Sequence, residues 1–297
     1  MDWDFELKLG ASERAALDAG KNLIYVSLPA GWAVEPLFRH LPAGGDSGMT
    51  DLFLVPEASE GLELSHLLNH IEPLAPAHPV TALDRTTSLL KRKFLRSLVA
   101  TPADALLLIS GSALRHAQVS RITILWPELQ ITLGHSKTLD SLLAEHQNAQ
   151  RLLITSNEAA IADFVERHAR RAPVARPLPA PEKVSGRLRY AVTSSAGRVA
   201  ALRHCLDMTN PDSVLIWEPD RWRHDDWREL AADPAVTVGR NPGGGPVHLA
   251  VAADLPDADV LRSLMTVADE VVALVRPRQL TYLLQIVEKA RPLKLPS

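Results

Sequence analysis

Arg121-Ile122-Thr123-Ile124-Leu125-Trp126-Pro127-Glu128 is the stretch on which the fold turns. A short apolar run stops at a proline, which denies the next turn a backbone donor; such a run reads as a strand buried on both faces. Outward from it, similar runs recur at Asn22–Leu28, Asp51–Val55, Val80–Leu83, Ala105–Ile109 and Arg151–Thr155. Amphipathic segments at Glu60–Glu72, Leu89–Val99, Ser136–Gln147 and Glu158–Arg170 lie between or after them. Strands alternating with helices predict an α/β fold with a parallel sheet.

The alternation breaks at Ala172-Pro173-Val174-Ala175-Arg176-Pro177-Leu178-Pro179-Ala180-Pro181, where the prolines favour an extended linker. It then resumes. Strands are expected at Leu188–Val192, Ser213–Trp217, Val236–Val238, His248–Ala252 and Glu270–Val275. Helices are expected at Gly197–Met208, Asp225–Ala232, Ala258–Ala268 and Arg278–Ala290, and a loop at Gly243-Gly244-Gly245-Pro246. The division is therefore an amino-terminal domain over 1–174, a linker over 175–186 and a shorter carboxy-terminal domain over 187–297, each with a doubly wound parallel sheet. A chain of 297 residues, 46% hydrophobic, is long enough for two such cores.

Composition narrows the function classes. A net charge of -3 gives no global attraction to a phosphate backbone, so a nucleic-acid contact needs a local basic patch. The single cysteine, Cys205, forms no internal disulfide or thiolate metal site, which fits a reducing cytoplasm. No run of about 18 apolar residues is present, and Met1-Asp2-Trp3-Asp4 lacks the regions of a signal peptide. The expectation is a cytoplasmic protein with no membrane partner.

Several short stretches fall in a fixed order. Gly20-Lys21-Asn22-Leu23-Ile24 enters the first strand, and Leu28-Pro29-Ala30-Gly31-Trp32 follows it. Leu52-Phe53-Leu54-Val55-Pro56, Leu98-Val99-Ala100-Thr101-Pro102, Asn210-Pro211-Asp212 before a strand, and Ala253-Asp254-Leu255-Pro256 come next. Collinearly, these resemble the landmarks of DEAD-box RNA helicases, of superfamily 2, and the resemblance spans nearly the whole chain. It implies two RecA-like lobes.

The residues that would carry nucleotide chemistry in that family differ here. A phosphate loop needs glycines to turn backbone N–H groups inward, a Lys for the terminal phosphates and a Ser or Thr for magnesium. Pro29 removes a donor, and Gly31 is followed by Trp32 and Ala33. Lys21 precedes the strand and is no substitute. Where the resemblance implies an Asp-Glu pair, Trp126 and Pro127 stand before Glu128. Thr155-Ser156-Asn157 replaces the family's Ser-Ala-Thr. Arg262 is the sole arginine where a His-Arg-x-Gly-Arg segment is implied, and losing an arginine finger alone costs ~10³ to 10⁵ in rate. The expectation is a degenerate nucleotide site at Pro29, Gly31, Trp32, Trp126, Pro127 and Glu128, with no ATP hydrolysis, no catalytic residue, no cofactor, no metal and no enzymatic activity.

Candidate binding residues remain. Lys91-Arg92-Lys93 and Arg96 put cations upstream of Thr101-Pro102, where the resemblance implies an RNA backbone; the same residues suit an ordinary solvated helix face. Arg171, with Arg167 and Arg170, stands at the predicted hinge and equally suits a helix carboxy-terminal end. Trp222 and Trp227, among Asp220, His224, Asp225 and Asp226, are candidate partner anchors or the cover of a helix-sheet seam. His66 and His70 have metal-compatible spacing without a third ligand, and Ser110-Gly111-Ser112 lacks a nucleophile elbow. The leading expectation is a non-catalytic protein that binds RNA or another nucleic acid at the cleft between its lobes, or acts in a ribonucleoprotein assembly. A protein-interaction scaffold is the alternative, and an ATP-dependent RNA helicase the remote one.

Overall fold

The computed structural model describes residues 9–41, 49–116, 118–176, 182–194, 197–219, 227, 229–239 and 245–294. The chain divides into two compact units, one within residues 4–178 and one within 179–297.

The first unit runs α1 (Ala11–Asp18), β1 (Leu23–Val26), α2 (Gly31–His40), β2 (Met49–Leu54), α3 (Ala58–Ile71), β3 (Ala77–Pro79), α4 (Leu83–Lys91) and β4 (Ser97–Ala100). It continues with α5 (Pro102–Ser110), α6 (Ala113–His116), β5 (Gln118–Leu125), α7 (Pro127–Thr132), α8 (Ser136–Glu145) and β6 (Gln150–Thr155). A short 3-10 turn leads into α9 (Ala162–His168), and β7 (Val174–Ala175) closes the unit. The strands form one sheet in the order β3-β4-β2-β5-β6-β1-β7, and every pairing is parallel. Its central side chains, including Leu52, Leu98, Ile122, Ile124 and Leu153, are fully buried, as strands covered on both faces require.

The second unit runs β8 (Val184–Val192), α10 (Arg198–Thr209), β9 (Val214–Trp217), β10 (Val236–Gly239), β11 (Val247–Ala252), α11 (Ala258–Val267), β12 (Ala268–Val275), α12 (Pro277–Ile286) and β13 (Val287–Pro292). Its sheet, β10-β9-β11-β12-β8-β13, is also wholly parallel. The ends of the expected linker lie within strands, in β7 and β8, while residues 177–181 fall outside the described residues.

Three local expectations are corrected. Ala105–Ile109, read as a strand from its apolar run, is part of α5: Thr101 caps the helix by accepting from Asp104 N at 3.2 Å, and Pro102 fills the first turn. Its buried residues Ala105, Leu108 and Ile109 keep helical spacing. The helix expected over Leu89–Val99 instead ends at Lys91, and Ser97–Ala100 is a strand. The closing helix stops at Ile286, after which β13 adds to the sheet edge beside β8.

Candidate nucleic-acid interface

In open parallel sheets, ligands bind outside the carboxyl ends of the strands. At that edge of the first sheet lie the ends of β1, β4, β5 and β6, and with them the residues of the expected nucleotide site. Between β1 and α2, residues 27–30 make a tight apolar bend. Ala30 N–H donates to Leu28 O at 2.8 Å, Ser27 N–H to Thr155 O at 2.9 Å, and Pro29, Ala30 and Trp32 are buried. Gly31 is the first residue of α2 and is half-buried. These two backbone donors are committed to Leu28 and to the end of β6 instead of converging on a ligand, as a phosphate cradle demands.

Beyond β5, Trp126 turns through the left-handed region, at φ 54 and ψ 55, and is 3% exposed; its N–H donates to Ile154 O at 2.7 Å. Pro127 then starts α7. Glu128 is tied down by β6: its carboxylate accepts from Thr155 Oγ1 at 2.7 Å, Ser156 N at 2.8 Å and Ser156 Oγ at 2.7 Å. Gln130 donates to Leu54 O at 3.0 Å and Leu125 O at 2.7 Å, stitching β2 to β5 at the same edge. The structure thus brings Trp126, Pro127, Glu128 and Thr155 together and gives them to one another.

The expected nucleic-acid residues separate. Lys91 and Arg92 end α4, and Arg96 immediately precedes β4, so all three sit at the amino-terminal edge of the sheet. Thr101 and Pro102 lie at the other end of β4, about 16 Å from Arg96 along an extended chain. Pro102 is buried and the Thr101 hydroxyl caps α5. Arg171 is exposed at φ 63, just before β7; five strand spacings separate β4 from β7, about 24 Å. A single surface holding all six is not formed.

What remains at the α4–β4 turn is coherent. Lys91, Arg92, Lys93 and Arg96 are all exposed and make no ion pair or side-chain hydrogen bond among the described residues. By contrast Arg39, Arg167, Arg170, Arg176, Arg203 and Arg262 each hold a carboxylate. The turn also carries Phe94, 68% exposed, which the basic pattern of the sequence obscured. In the same unit a cavity of about 180 Å³ is lined in part by Phe38, Asp51, Phe53 and Ser97. Asp51 pairs with buried Arg121 at 3.1 Å; burial pushes its carboxyl above the usual range, against the pull of Arg121 and Ser120.

In the second unit, Trp227 is 2% exposed and donates through Nε1 to the buried Glu218. It is a core side chain of that unit, a correction to its reading as a surface anchor, because the indole N–H finds a carboxylate partner inside. Trp222 lies outside the described residues. At the carboxyl edge of this sheet, Arg198 pairs with Asp254 at 3.6 Å and donates to Ala253 O at 3.1 Å, and Gln279 donates to Asp254 at 2.8 Å. The Asp254-Leu255 match is therefore a buried polar network.

Three solved structures are among those similar to this chain. A DEAD box protein from Methanococcus jannaschii is 13% identical over 94% of this chain and 90% of its own, with a TM-score of 0.49. A hypothetical ATP-dependent RNA helicase from Sulfolobus tokodaii is 14% identical over 93% and 95%, with a TM-score of 0.46. A Saccharomyces cerevisiae Dbp5 structure, bound to Nup159, Gle1, IP6 and ADP, is 12% identical over 97% and 92%, with a TM-score of 0.46. In fold the chain is similar to DEAD-box helicases. The strand order and parallel register described above show, from the chain itself, two parallel-sheet α/β domains. No protein-family model matches the chain, and no curated protein matches it by sequence.

The helicase likeness corrects one expectation. The expectation of no enzymatic activity is withdrawn: the proteins this chain is similar to in structure include a hypothetical ATP-dependent RNA helicase, and replaced motif residues by themselves do not make a chain a non-enzyme. Among the described residues no helix is long and apolar enough to cross a membrane, and no cluster of metal-ligating side chains is found.

Proposed function

We propose that the chain is a helicase-like RNA-binding protein whose first unit grips the phosphate backbone at the α4–β4 turn. The observation that carries this reading is the set of four exposed cations, Lys91, Arg92, Lys93 and Arg96, without carboxylate partners. A chain of net charge -3 gains phosphate affinity only where cations are left uncompensated, and these four fall within six consecutive positions.

Titration of labelled RNA at about 50 and 200 mM salt tests the reading, since phosphate contacts release counterions and weaken steeply with salt. Replacing Lys91, Arg92 and Arg96 with Ala is expected to abolish most of the affinity at low salt. Unchanged affinity in that variant, or no binding by the parent chain at low salt, overturns the proposal.

A further inference from the structure

The α4–β4 turn is built in a way that charge alone does not explain. Phe94 N–H donates back to Leu89 O at 3.2 Å and Lys93 N–H to Leu90 O at 2.9 Å, with Lys93 at φ 57. These are the paired bonds of a Schellman helix end, whose left-handed position is ordinarily glycine. Two other helices of the same unit end identically and do use glycine. After α1, Lys21 N donates to Ala16 O and Gly20 N to Leu17 O, with Gly20 at φ 65. After α7, His135 N donates to Gln130 O and Gly134 N to Ile131 O, with Gly134 at φ 86.

At α4 the position holds a lysine, at a steric cost of about 1–2 kcal/mol; Ser112 after α5 and Arg171 after α9 are also left-handed without glycine, but neither is followed by an exposed aromatic ring. Cations favour a helix carboxy-terminal end, which accounts for Lys91 and Arg92 but not for the residue that follows Lys93. In a Schellman end that residue commonly tucks an apolar side chain back onto the helix. Phe94 is instead 68% exposed, while its neighbour Leu95 packs against the core. The result is one aromatic ring held out of the fold with uncompensated cations on both sides, at 91–93 and 96.

Resting on the phosphate-binding reading above, we infer that Phe94 is a base-stacking platform and that this turn selects single-stranded over duplex RNA. A ring between cations matches a nucleotide strand, in which each π-face is flanked by phosphates; the faces of paired bases are already stacked on their neighbours and do not reach it. An anionic lipid surface calls for a broader apolar face than this turn offers, since Leu95 is turned inward. Leu74, 93% exposed, precedes the adjacent strand β3 at the same sheet edge.

The test compares the full-length chain with F94A and F94W, each checked by thermal melting. The probes are a labelled oligo-uridine of about 12 nucleotides, a fully paired RNA duplex, and vesicles of phosphatidylcholine with phosphatidylserine. F94A is expected to lose about ten-fold in oligo-uridine affinity, from the value of one stacked base, and to change duplex affinity by less than about two-fold. F94W is expected to retain oligo-uridine binding. If F94A binds oligo-uridine like the parent while the K91A/R92A/R96A variant does not, the stacking inference falls and the phosphate reading stands. If the parent binds neither RNA, or vesicles alone, both fall.

Discussion

Glu128 accepts a hydrogen bond from the buried Thr155 hydroxyl at 2.7 Å, joining the turn after β5 to the end of β6. The same carboxylate receives Ser156 N and Oγ, so one side chain closes the strand ends that bracket the Trp126 turn. Substituting E128A leaves the O–H of Thr155, a residue 0% exposed, without this acceptor, although its oxygen still accepts from Asn157 N at 3.1 Å. A loss of about 1–3 kcal/mol is expected, read as a lower urea midpoint with an unchanged slope. E128Q, which keeps a carbonyl acceptor, should lose less.

Arg198 and Asp254 are 4% and 2% exposed and lie 3.6 Å apart, and Gln279 also donates to Asp254. Removing one charge leaves its partner desolvated, so D254A is expected to cost about 3–5 kcal/mol. The R198M/D254L double variant should cost less than the two single changes summed, because no orphaned charge remains. A double-mutant cycle by denaturant melts provides the check; strict additivity would mean the pair is not coupled.

Acid should weaken the first unit before its carboxylates titrate. Burial depresses the pKa of His146, with Glu145 opposing; burial first and then Arg85 depress that of His78, both from 6.5. The unfolded chain therefore binds protons more readily than the native one. The corresponding stability is complete above about pH 6.5 and is lost as pH falls through the lower native values. An H78Q/H146Q variant should show a flatter stability profile between about pH 6.5 and 5 than the parent, measured by melts across that window.

The parallel sheets were legible because their strands are apolar runs ended by Pro, Asn or Asp, and a strand buried on both faces has no alternation to confuse. The same signal misleads at Ala105–Ile109, where a helix that buries Ala105, Leu108 and Ile109 also carries Leu106 at the margin of the core and an exposed Leu107. The decisive clue there was local: Thr101-Pro102 followed by Asp104 is a helix start. At the candidate interface, Lys91 to Arg96 show in the sequence as charge within an apparent helix. Only the backbone shows that Lys93 ends the helix and Phe94 leaves it, because a Schellman end without glycine has no composition cue. Trp227 settles into the core instead of the surface for a different reason: its partner, Glu218, is a charged residue whose burial has no cue in the sequence.

Lys93 offers a separation of stability from binding. Replacing it by glycine relieves the left-handed cost of about 1–2 kcal/mol, while the added freedom of the unfolded chain returns about 0.5–1 kcal/mol. K93G should therefore be more stable than the parent by about 0.5–1 kcal/mol in denaturant melts. It also removes one phosphate contact, so the slope of log affinity against log salt for single-stranded RNA should fall by about 0.7. A variant that gains stability and loses salt-dependent affinity together identifies Lys93 as a residue kept for binding against the preference of the backbone. If K93G gains stability and binds RNA with the parental slope, the lysine contributes nothing to the strand, and the turn's cations at 91, 92 and 96 must account for the contact alone.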